Sequence, residues 1–484
     1  MKEWIHETIL TPRFEKILTV LLLSLLSLFF AYFTSANELK DALLIGSLCL
    51  LPVGVYVVTN LKFGFYTTLI LSFFMAFINR LLGVGVPFGV LIDLILCALC
   101  FLLLINLIRK RDDSFSDFGN PTTYLLLIFV LYYFMQVANP EGTLYGWFYG
   151  IRSVVRMLMI YLIFWKLFDN YQDFKQFVGL YLTLAAFAAL YGLYQEFFGL
   201  PSYDLRWATS DEKLMHLLFQ AGKWRKFSIL PDSSSFGLFM TLIVIISALF
   251  AIPKTRFRYV YIFLSIISLI GVFAAAIRTA YVILPIGSVF YIILNITDVR
   301  KITIAVFSIL FLVALYFSPI HNPTLDRFRS AFNPTEDSSM QLRDVNRELI
   351  RPYIHSHPFG GGLSTTGANG YKYAPHHELA GFPPDSGFME SILETGWVGF
   401  FIELLLYIVV IVTGIIHLFQ AKSPEIRSYY LAFIVGFFSL TIAYYSKKGV
   451  DQFPINYFLY GTFVVVNKLK KHDQLLFQKP VIPS

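Results

Sequence analysis

The chain has 484 residues, of which 57% are hydrophobic, 18% are aromatic and only 14% are charged. A soluble domain carries about 25% charged residues, so this composition excludes an ordinary water-soluble protein. The net charge of +7 matches a bias of lysine and arginine toward one side of a membrane. No nucleic-acid-binding motif accompanies the charge, so nucleic acid is not expected as a partner.

Apolar runs recur along the chain, and many are long enough to cross a hydrocarbon layer of about 30 Å as a helix of about 20 residues. About fourteen such runs are present, none with the alternation typical of barrel strands. They lie near 16–33, 41–59, 64–79, 85–108, 122–138, 151–168, 178–198, 233–252, 259–276, 279–296, 302–318, 387–416, 428–445 and 454–468. The run 64–79 is short and could be re-entrant. The sequence predicts an all-α polytopic membrane protein with about 12–14 transmembrane helices.

Lysine and arginine in the short connections indicate the orientation, because such residues stay on the cytoplasmic side. Basic clusters at 109–111, 254–258 and 300–301 predict cytoplasmic connections and cytoplasmic termini, with 447–448 as the one poor fit. The first apolar run has no small-residue cleavage site after it and predicts a retained helix. The resulting parts are transmembrane helices with an outer loop at 199–232 (1–318), a large periplasmic loop (319–386), C-terminal transmembrane helices (387–468) and a cytoplasmic tail (469–484).

Several arginines fall on the predicted outer side, against this charge bias. Arg152 and Arg156 share one helix face, Arg206 and Arg225 lie in the loop 199–232, and Arg278 lies in a tight break between two spans. A single arginine at such a place is usually explained by contact with lipid headgroups. A group of them suits a pyrophosphate held by paired hydrogen bonds, so the functional interpretation is an anionic ligand on the outer side.

The large loop 319–386 is too long for a passive connection and holds most of the candidate polar chemistry. Arg343, Arg347 and Arg351 are spaced by four and predict a helix from 341 to 353 that ends at Pro352; a solvated face would give the same spacing. Three glycines at 360–362 permit either a loop close to a ligand or a simple turn.

Histidines of the same loop raise the question of a metal site. His355, His357, His376 and His377 form two close pairs about twenty residues apart, which does not match zinc-ligand spacing. No nucleotide phosphate-binding motif is present either. Neither a metal nor another cofactor is therefore expected.

The acidic residues have structural explanations beside functional ones. Glu390 and Glu394 lie at i and i+4 in the first turns of a predicted helix, where carboxylates favour the helix dipole, and this role is preferred over catalysis. Asp93 lies inside an apolar run, which predicts burial against a partner. Asp385 precedes the helix at 387 and could be its N-cap or a catalytic base.

Four segments in order resemble the O-antigen ligase and O-antigen polymerase superfamily over roughly 220 to 420. They read RKFSILPDSSSFG at 225–237, IRTA at 277–280, HPFGGG at 357–362 and DSGFMESILETGWVGF at 385–400. The last is similar to the family signature that closes the periplasmic loop, where ligases have a histidine followed by asparagine or serine. Here Asp385 stands at the histidine position, and Met389 replaces a leucine.

The resemblance implies a glycosyltransferase of GT-C-like architecture in the bacterial inner membrane, with its active site facing the periplasm. Such enzymes transfer an oligosaccharide from a polyprenyl-pyrophosphate donor to a hydroxyl of a lipid-linked glycan acceptor, without a metal and with inversion. Arg225 and Arg278 match the family's substrate-binding arginines, and Arg152, Arg156 and Arg206 could add to them. Asp385 would be the base, with His376 or His377 as alternatives.

Polymerase and ligase differ in acceptor, which is another repeat unit for one and lipid A core for the other. The ligase histidine is regarded as its base, so Asp385 favours a repeat-unit polymerase, with a chain-length regulator as a further partner. A flippase or another transporter of lipid-linked oligosaccharide is the alternative from another class. Transporters place charge near the midplane and show two related halves, and neither is clear in this chain.

Overall fold

The computed structural model describes residues 54–83, 85–110, 113–220, 222–253, 255–320, 322–332, 338–446 and 452–478. The chain divides into two compact units, residues 1–65 and 66–484. In the first unit the described residues are helical at 54–59 and again from Leu61. The predicted span 16–33 lies outside the described residues, and so does most of 41–59.

Helices dominate the described residues, and each predicted span from 64–79 onward coincides with one of them. The helices are α1 (Leu61–Leu82), α2 (Phe88–Lys110), α3 (Pro121–Met135), α4 (Leu144–Leu167), α5 (Tyr171–Phe198), α6 (Ser202–Ala208), α7 (Glu212–Leu218), α8 (Ser233–Ala251), α9 (Arg258–Ala275), α10 (Arg278–Leu294), α11 (Val299–Tyr316), α12 (Pro323–Ser330), α13 (Ser338–Ser356), α14 (Gly367–Tyr373), α15 (Gly387–Gln420), α16 (Pro424–Ser446) and α17 (Ile455–Gln478). Two short strands, β1 (Phe219–Gln220) and β2 (Lys223–Trp224), form an antiparallel hairpin after α7.

Nine helices in the described ranges are long and apolar enough to cross a membrane: α1 to α5, α8, α9, α15 and α16. Helices α10 and α11 are apolar but shorter. The prediction of an all-α polytopic membrane protein is confirmed. Helix α1 has 22 residues, enough for a complete crossing, so the short run 64–79 does not require a re-entrant segment.

Polar residues mark where several of these helices begin. Asn120, Thr143, Asn170 and Asp232 each accept a hydrogen bond from a backbone N–H two or three residues further on. These bonds satisfy amides that the first turn of a helix leaves without a partner. The capping residues therefore fix the helix starts that composition alone leaves uncertain.

Helix α8 lies at the centre of the second unit and is 83% buried. It packs against α9, α10 and α16. Its Gly237 allows the end of α9 to approach, because a Cβ there would lie 3.1 Å from that of Ala275. This close contact brings the junction between α9 and α10 against the start of α8.

Between α11 and α15 the chain forms three helices, α12, α13 and α14, of 8, 19 and 7 residues. Helix α13 continues through Pro352 to Ser356, so the predicted end at Pro352 is wrong by about one turn. A proline removes one helical hydrogen bond without preventing the following turn. Ile350 and Tyr353 of α13 pack with Leu379 and Leu393 in a small apolar cluster, which seats this helix on the start of α15.

Candidate functional site

The junction between α9 and α10 places two arginines side by side. Ala276 has a left-handed backbone, with φ of 54°, and Arg278 is the first residue of α10. Arg225 Nε donates to the carbonyl of Ala275 at 3.4 Å, and the Lys226 amide donates to that of Ala274 at 3.0 Å. These carbonyls belong to the last turn of α9, which leaves them without helical partners. The loop carrying Arg225 is thereby held beside Arg278.

A second arginine-centred network holds the same loop from the side of α1. Arg80 is only 5% exposed and donates to the carbonyls of Ser228 and Leu230, the latter at 2.7 Å. Its Nε also donates to Asp204 at 2.9 Å, and its guanidinium lies 4.8 Å from the centre of the Phe227 ring. Sequence reasoning missed Arg80, although a charged residue at the end of an apolar run is a signal for such a role.

Beside Arg225 lies a cavity of about 760 Å³, here called the cation cavity. Its lining comes from the β-hairpin, the α9–α10 junction, the end of α11 and α12. Among the described residues of the lining, one is a carboxylate, Asp326. The cationic residues of the lining are Lys223, Arg225, Arg278, Arg327 and Arg329.

Two of the five cations make contacts that hold the fold together. Arg329 donates to Asp326 at 2.9 Å and to the carbonyl of Tyr316 at 2.9 Å, so it closes the end of α11. Lys223 forms an ion pair with Glu196. By contrast, Nε of Arg327 is buried and has no hydrogen-bond partner among the described residues. A buried donor of this kind is costly unless it is paired, and it suits a site that receives an anion.

The electrostatics of the cavity point the same way. Burial, followed by the charge of Arg327, lowers the pKa of the Arg225 guanidinium to about 10, and Arg278 acts in the same direction. Burial and the charge of Arg278 likewise lower the pKa of Arg327. A lowered pKa means that the cationic form is disfavoured, first because burial removes the guanidinium from water and second because neighbouring positive charges repel it. A bound anion would remove this penalty.

Asp385 lies at the entrance of α15 in a left-handed backbone conformation, with φ of 55°. Asn346 Nδ2 donates to Asp385 Oδ2 at 3.1 Å. The N-cap of α15 is Ser386, whose side chain accepts from the Met389 amide at 2.9 Å. Asp385 is therefore not required for capping, and its carboxylate has an orienting partner instead.

Helix α13 connects this carboxylate with the cation cavity. Arg343, three residues before Asn346, lies near enough to Arg278 for the two charges to repel each other. Arg343 and Asn346 are separated by about 4.5 Å of helical rise, so their side chains lie at neighbouring positions on one face of α13. Arg347 follows Arg343 by one turn, and its guanidinium lies 5.6 Å from the centre of the Tyr445 ring.

The three glycines at 360–362 lie against a kink in α15 at Gly396, where φ is 71°. The Gly361 amide donates to the Leu393 carbonyl at 2.8 Å, and the Trp397 amide donates to the Pro358 carbonyl at 3.0 Å. A Cβ on Gly396 would lie 2.1 Å from the Pro358 carbonyl oxygen. Close backbone packing thus explains why this turn lacks side chains.

Glu394 fixes the chain that follows these glycines. Its buried carboxylate accepts hydrogen bonds from the Ser364 amide at 2.8 Å and the Thr366 hydroxyl at 2.6 Å. The carboxylate therefore ties the loop to α15. Glu394 is the eighth residue of that helix and lies beyond the first turn, where the dipole role was predicted.

Arg152 and Arg156 lie apart from the cation cavity. Both form ion pairs with Asp93, which Arg156 contacts through two nitrogens at 2.6 and 3.1 Å. The two arginines line a different cavity, of about 310 Å³. Arg206 is exposed on α6 and is not part of the lining of either cavity.

The histidines are spread over the loop surface. His357 stacks on Tyr353 with 4.0 Å between ring centres, and His376 is exposed. His377 accepts from the Leu379 amide at 3.0 Å, and burial lowers the pKa of its imidazole, which favours the neutral form. Within the described ranges, no three histidine, cysteine, aspartate or glutamate side chains gather closely enough to hold a metal ion.

Fold and site together describe a polytopic helical membrane protein with a cavity rich in cationic side chains and a carboxylate held by Asn346. The sequence model of the family described as O-antigen ligase matches residues 263–404, which supports assignment to the O-antigen ligase and polymerase superfamily. The matched stretch contains Arg278, Arg327, Asn346 and Asp385, whereas Arg225 precedes it. No curated protein matches the chain in a sequence search.

Proposed function

We propose that this protein is a metal-independent, inverting glycosyltransferase of the periplasmic face of the bacterial inner membrane. It would transfer an oligosaccharide from a polyprenyl-pyrophosphate carrier to a hydroxyl of a second lipid-linked glycan. The observation that carries this proposal is the cation cavity, where Arg225, Arg278 and Arg327 lie together. Burial and the charges of neighbouring arginines lower the pKa of Arg225 and of Arg327. Pyrophosphate is the leaving group that such a cavity would stabilise.

In the proposed step, the acceptor hydroxyl oxygen attacks the anomeric carbon of the donor sugar while the bond from that carbon to the pyrophosphate oxygen breaks. Asp385 accepts the hydroxyl proton, and Asn346 keeps its carboxylate oriented. The bonding electrons leave with the polyprenyl pyrophosphate, whose negative charge is stabilised by the arginines. One displacement inverts the anomeric centre, and no nucleotide is needed.

Among family activities, we favour a repeat-unit polymerase for O-antigen, capsule or exopolysaccharide. Asp385 stands where the ligase has its histidine, and the structure assigns helix capping to Ser386, which leaves the carboxylate available as a base. A ligase that acts on lipid A core is the second candidate, because an aspartate and a histidine can serve the same proton-accepting role.

Purified full-length protein, incubated in detergent with a synthetic polyprenyl-pyrophosphate oligosaccharide, tests the proposal. A polymerase converts the substrate into products longer by whole repeat units, whereas a ligase needs added lipid A core. Arg278→Ala and Asp385→Asn are the inactive controls, and Arg206→Ala is the matched active control. Movement of intact substrate across liposomes without any new glycosidic bond would show a transporter instead.

A further inference from the structure

The cavity of about 310 Å³ that contains Arg152 and Arg156 is here called the polar cavity. It lies among α3, α4, α15, α16 and α17, beneath the loop residues after Gly362. Its lining includes the carboxylates of Glu390, Glu394 and Glu403 from α15. Ionisable groups buried among membrane-spanning helices are costly and usually serve a ligand or a pathway.

The described lining of the polar cavity has no excess of positive charge, unlike that of the cation cavity. Its two arginines already pair with Asp93, and three further carboxyl groups belong to the lining. Among the described residues, the lining of the cation cavity has five cationic side chains and one carboxylate. The polar cavity therefore favours a neutral or amino-bearing ligand over a second phosphate-bearing group.

The remaining lining suits a sugar. Asn369 and Gln452 provide amides, and the carboxylates and guanidinium groups add acceptors and donors for neighbouring hydroxyls. Tyr149, which is 41% exposed, stacks on Tyr373 with 4.4 Å between ring centres. Such a partly exposed ring offers its electron-rich face to the C–H face of a pyranose.

The polar cavity also adjoins the proposed base. Tyr444, part of its lining, packs on Gly387, where a Cβ would lie 2.2 Å from the tyrosine ring. Glu390 follows Gly387 by one helical turn and lines the same cavity. Asp385 precedes Gly387 by two residues, and its partner Asn346 lies on the helix that leads to the cation cavity.

We propose that the polar cavity binds the terminal sugar of the acceptor glycan and presents its hydroxyl to Asp385. This inference rests on the proposed transferase function and adds a separate site for the second substrate. The donor pyrophosphate occupies the cation cavity while the acceptor sugar occupies the polar cavity. Both substrates are then bound at once, as a single displacement requires.

Binding of a carrier-free sugar tests this site without relying on turnover. The probe is the reducing oligosaccharide that mild acid releases from the polyprenyl-linked intermediates of the producing cells. Its binding to full-length protein in detergent is measured by saturation-transfer NMR. Asn369→Ala, Tyr149→Ala and Glu390→Gln should each weaken binding about tenfold, because each removes a hydrogen-bonding or stacking group.

Two controls separate the cavities. Tyr145→Ala changes a residue of α4, the helix that carries Tyr149. Tyr145 is 79% exposed and lies outside the lining, so this variant should bind the sugar normally. Arg278→Ala should still bind the sugar but should no longer bind inorganic pyrophosphate. Asn369 lies outside the membrane-spanning helices, so its variant remains informative if Glu390→Gln does not fold.

Unchanged sugar binding in Asn369→Ala and Tyr149→Ala, or loss of sugar binding in Arg278→Ala, would overturn the inference. The proposed function fails in a different way. Absence of any transfer by a protein that still binds the sugar through these residues would disprove the transferase and leave the sugar site. Transfer with an unchanged acceptor KM in all three variants would disprove the sugar site alone.

Discussion

Asn346 Nδ2 donates a hydrogen bond to Asp385 Oδ2 at 3.1 Å, which joins the middle of α13 to the entrance of α15. Helix α13 also carries Arg343, whose charge acts on Arg278. An anion bound at Arg278 would therefore lie within electrostatic reach of the helix that orients the proposed base. This arrangement makes the roles of individual side chains separable by substitution.

Asp385→Asn should lower transfer by about one to four orders of magnitude while leaving the fold unchanged. Asparagine tolerates the left-handed backbone of this position but cannot accept a proton at neutral pH. Asp385→His should retain measurable transfer, because an imidazole with a pKa of about 6.5 accepts a proton at periplasmic pH. The measurement is the initial rate of transfer at equal protein concentration. A wild-type rate for Asp385→Asn would show that Asp385 is not the base and would make His376 and His377 the next candidates.

Asn346→Ala should reduce kcat about tenfold with little change in donor KM, because the base loses its orienting donor but keeps its charge. Asn346→Gln offers an amide with one more methylene and should recover only part of the rate. Thermal unfolding provides the control, since a merely structural role would lower stability and rate together. Equal kcat for Asn346→Ala and wild type would show that the hydrogen bond has no part in catalysis.

Arg327→Met should increase stability while it abolishes pyrophosphate binding. Burial and the charge of Arg278 lower the pKa of Arg327 in the folded protein, so its positive charge opposes folding at neutral pH. This penalty decreases only as the pH rises through the lowered pKa, and it is gone only above the ordinary pKa of arginine. We expect the Tm in detergent to rise by about 1–2 °C without ligand.

Inorganic pyrophosphate should raise the Tm of the wild type but not that of Arg327→Met, because only the former binds it. Arg206→Met, a change of an exposed arginine outside the cavity, should behave as wild type in both measurements. A lower Tm for Arg327→Met together with normal pyrophosphate binding would show that this arginine serves the fold.

Gly396→Ala should detach the glycine turn from α15. The new Cβ would lie 2.1 Å from the Pro358 carbonyl oxygen, and the φ of 71° is itself unfavourable for alanine, at a cost of about 1–3 kcal/mol. Limited proteolysis should cut the variant faster between 357 and 366. Gly179→Ala is the matched control, because a Cβ there meets no atom within 4 Å and should leave the protein unchanged or slightly more stable.

The orientation of the chain is tested by reporters fused at 112, 255 and 484, which should be cytoplasmic, and at 145, 215 and 340, which should be periplasmic. The expectation rests on the asymmetry of lysine and arginine in the short connections. A cytoplasmic signal at 340 would place the cation cavity away from the periplasm and contradict the proposed function.

Most of the helical architecture could be predicted from the apolar runs. Backbone N–H and C=O groups in lipid must form their hydrogen bonds within each segment, so an apolar run long enough to cross the membrane indicates a helix. Helix α13 followed from the spacing of its arginines, but its end did not, since a proline shortens the hydrogen-bond ladder without stopping the helix. The kink at Gly396 could not be predicted from the sequence either, because it depends on a backbone contact with Pro358, which is distant along the chain.

The candidate site was only partly visible in the sequence. Arg225 and Arg278 were proposed because arginines on the outer side oppose the usual charge distribution, and the structure places both in one cavity. Arg327 gave no comparable signal, because arginines on a short polar helix are common. Asp385 and Ser386 are both N-cap residue types, and only the backbone geometry shows that Ser386 makes the bond.

The Arg80 network limits what the matched stretch can do by itself. Residues 263–404 contain Arg278, Arg327 and Asp385, but the loop bearing Arg225 is fastened by Arg80 of α1, whose buried charge is paired with Asp204 of α6. A chimera that grafts only 263–404 into a related protein would leave such a pair incomplete if the host lacks either partner, with one buried charge uncompensated. The exchangeable unit for engineering is therefore the stretch together with the Arg80–Asp204 pair and the loop 225–230.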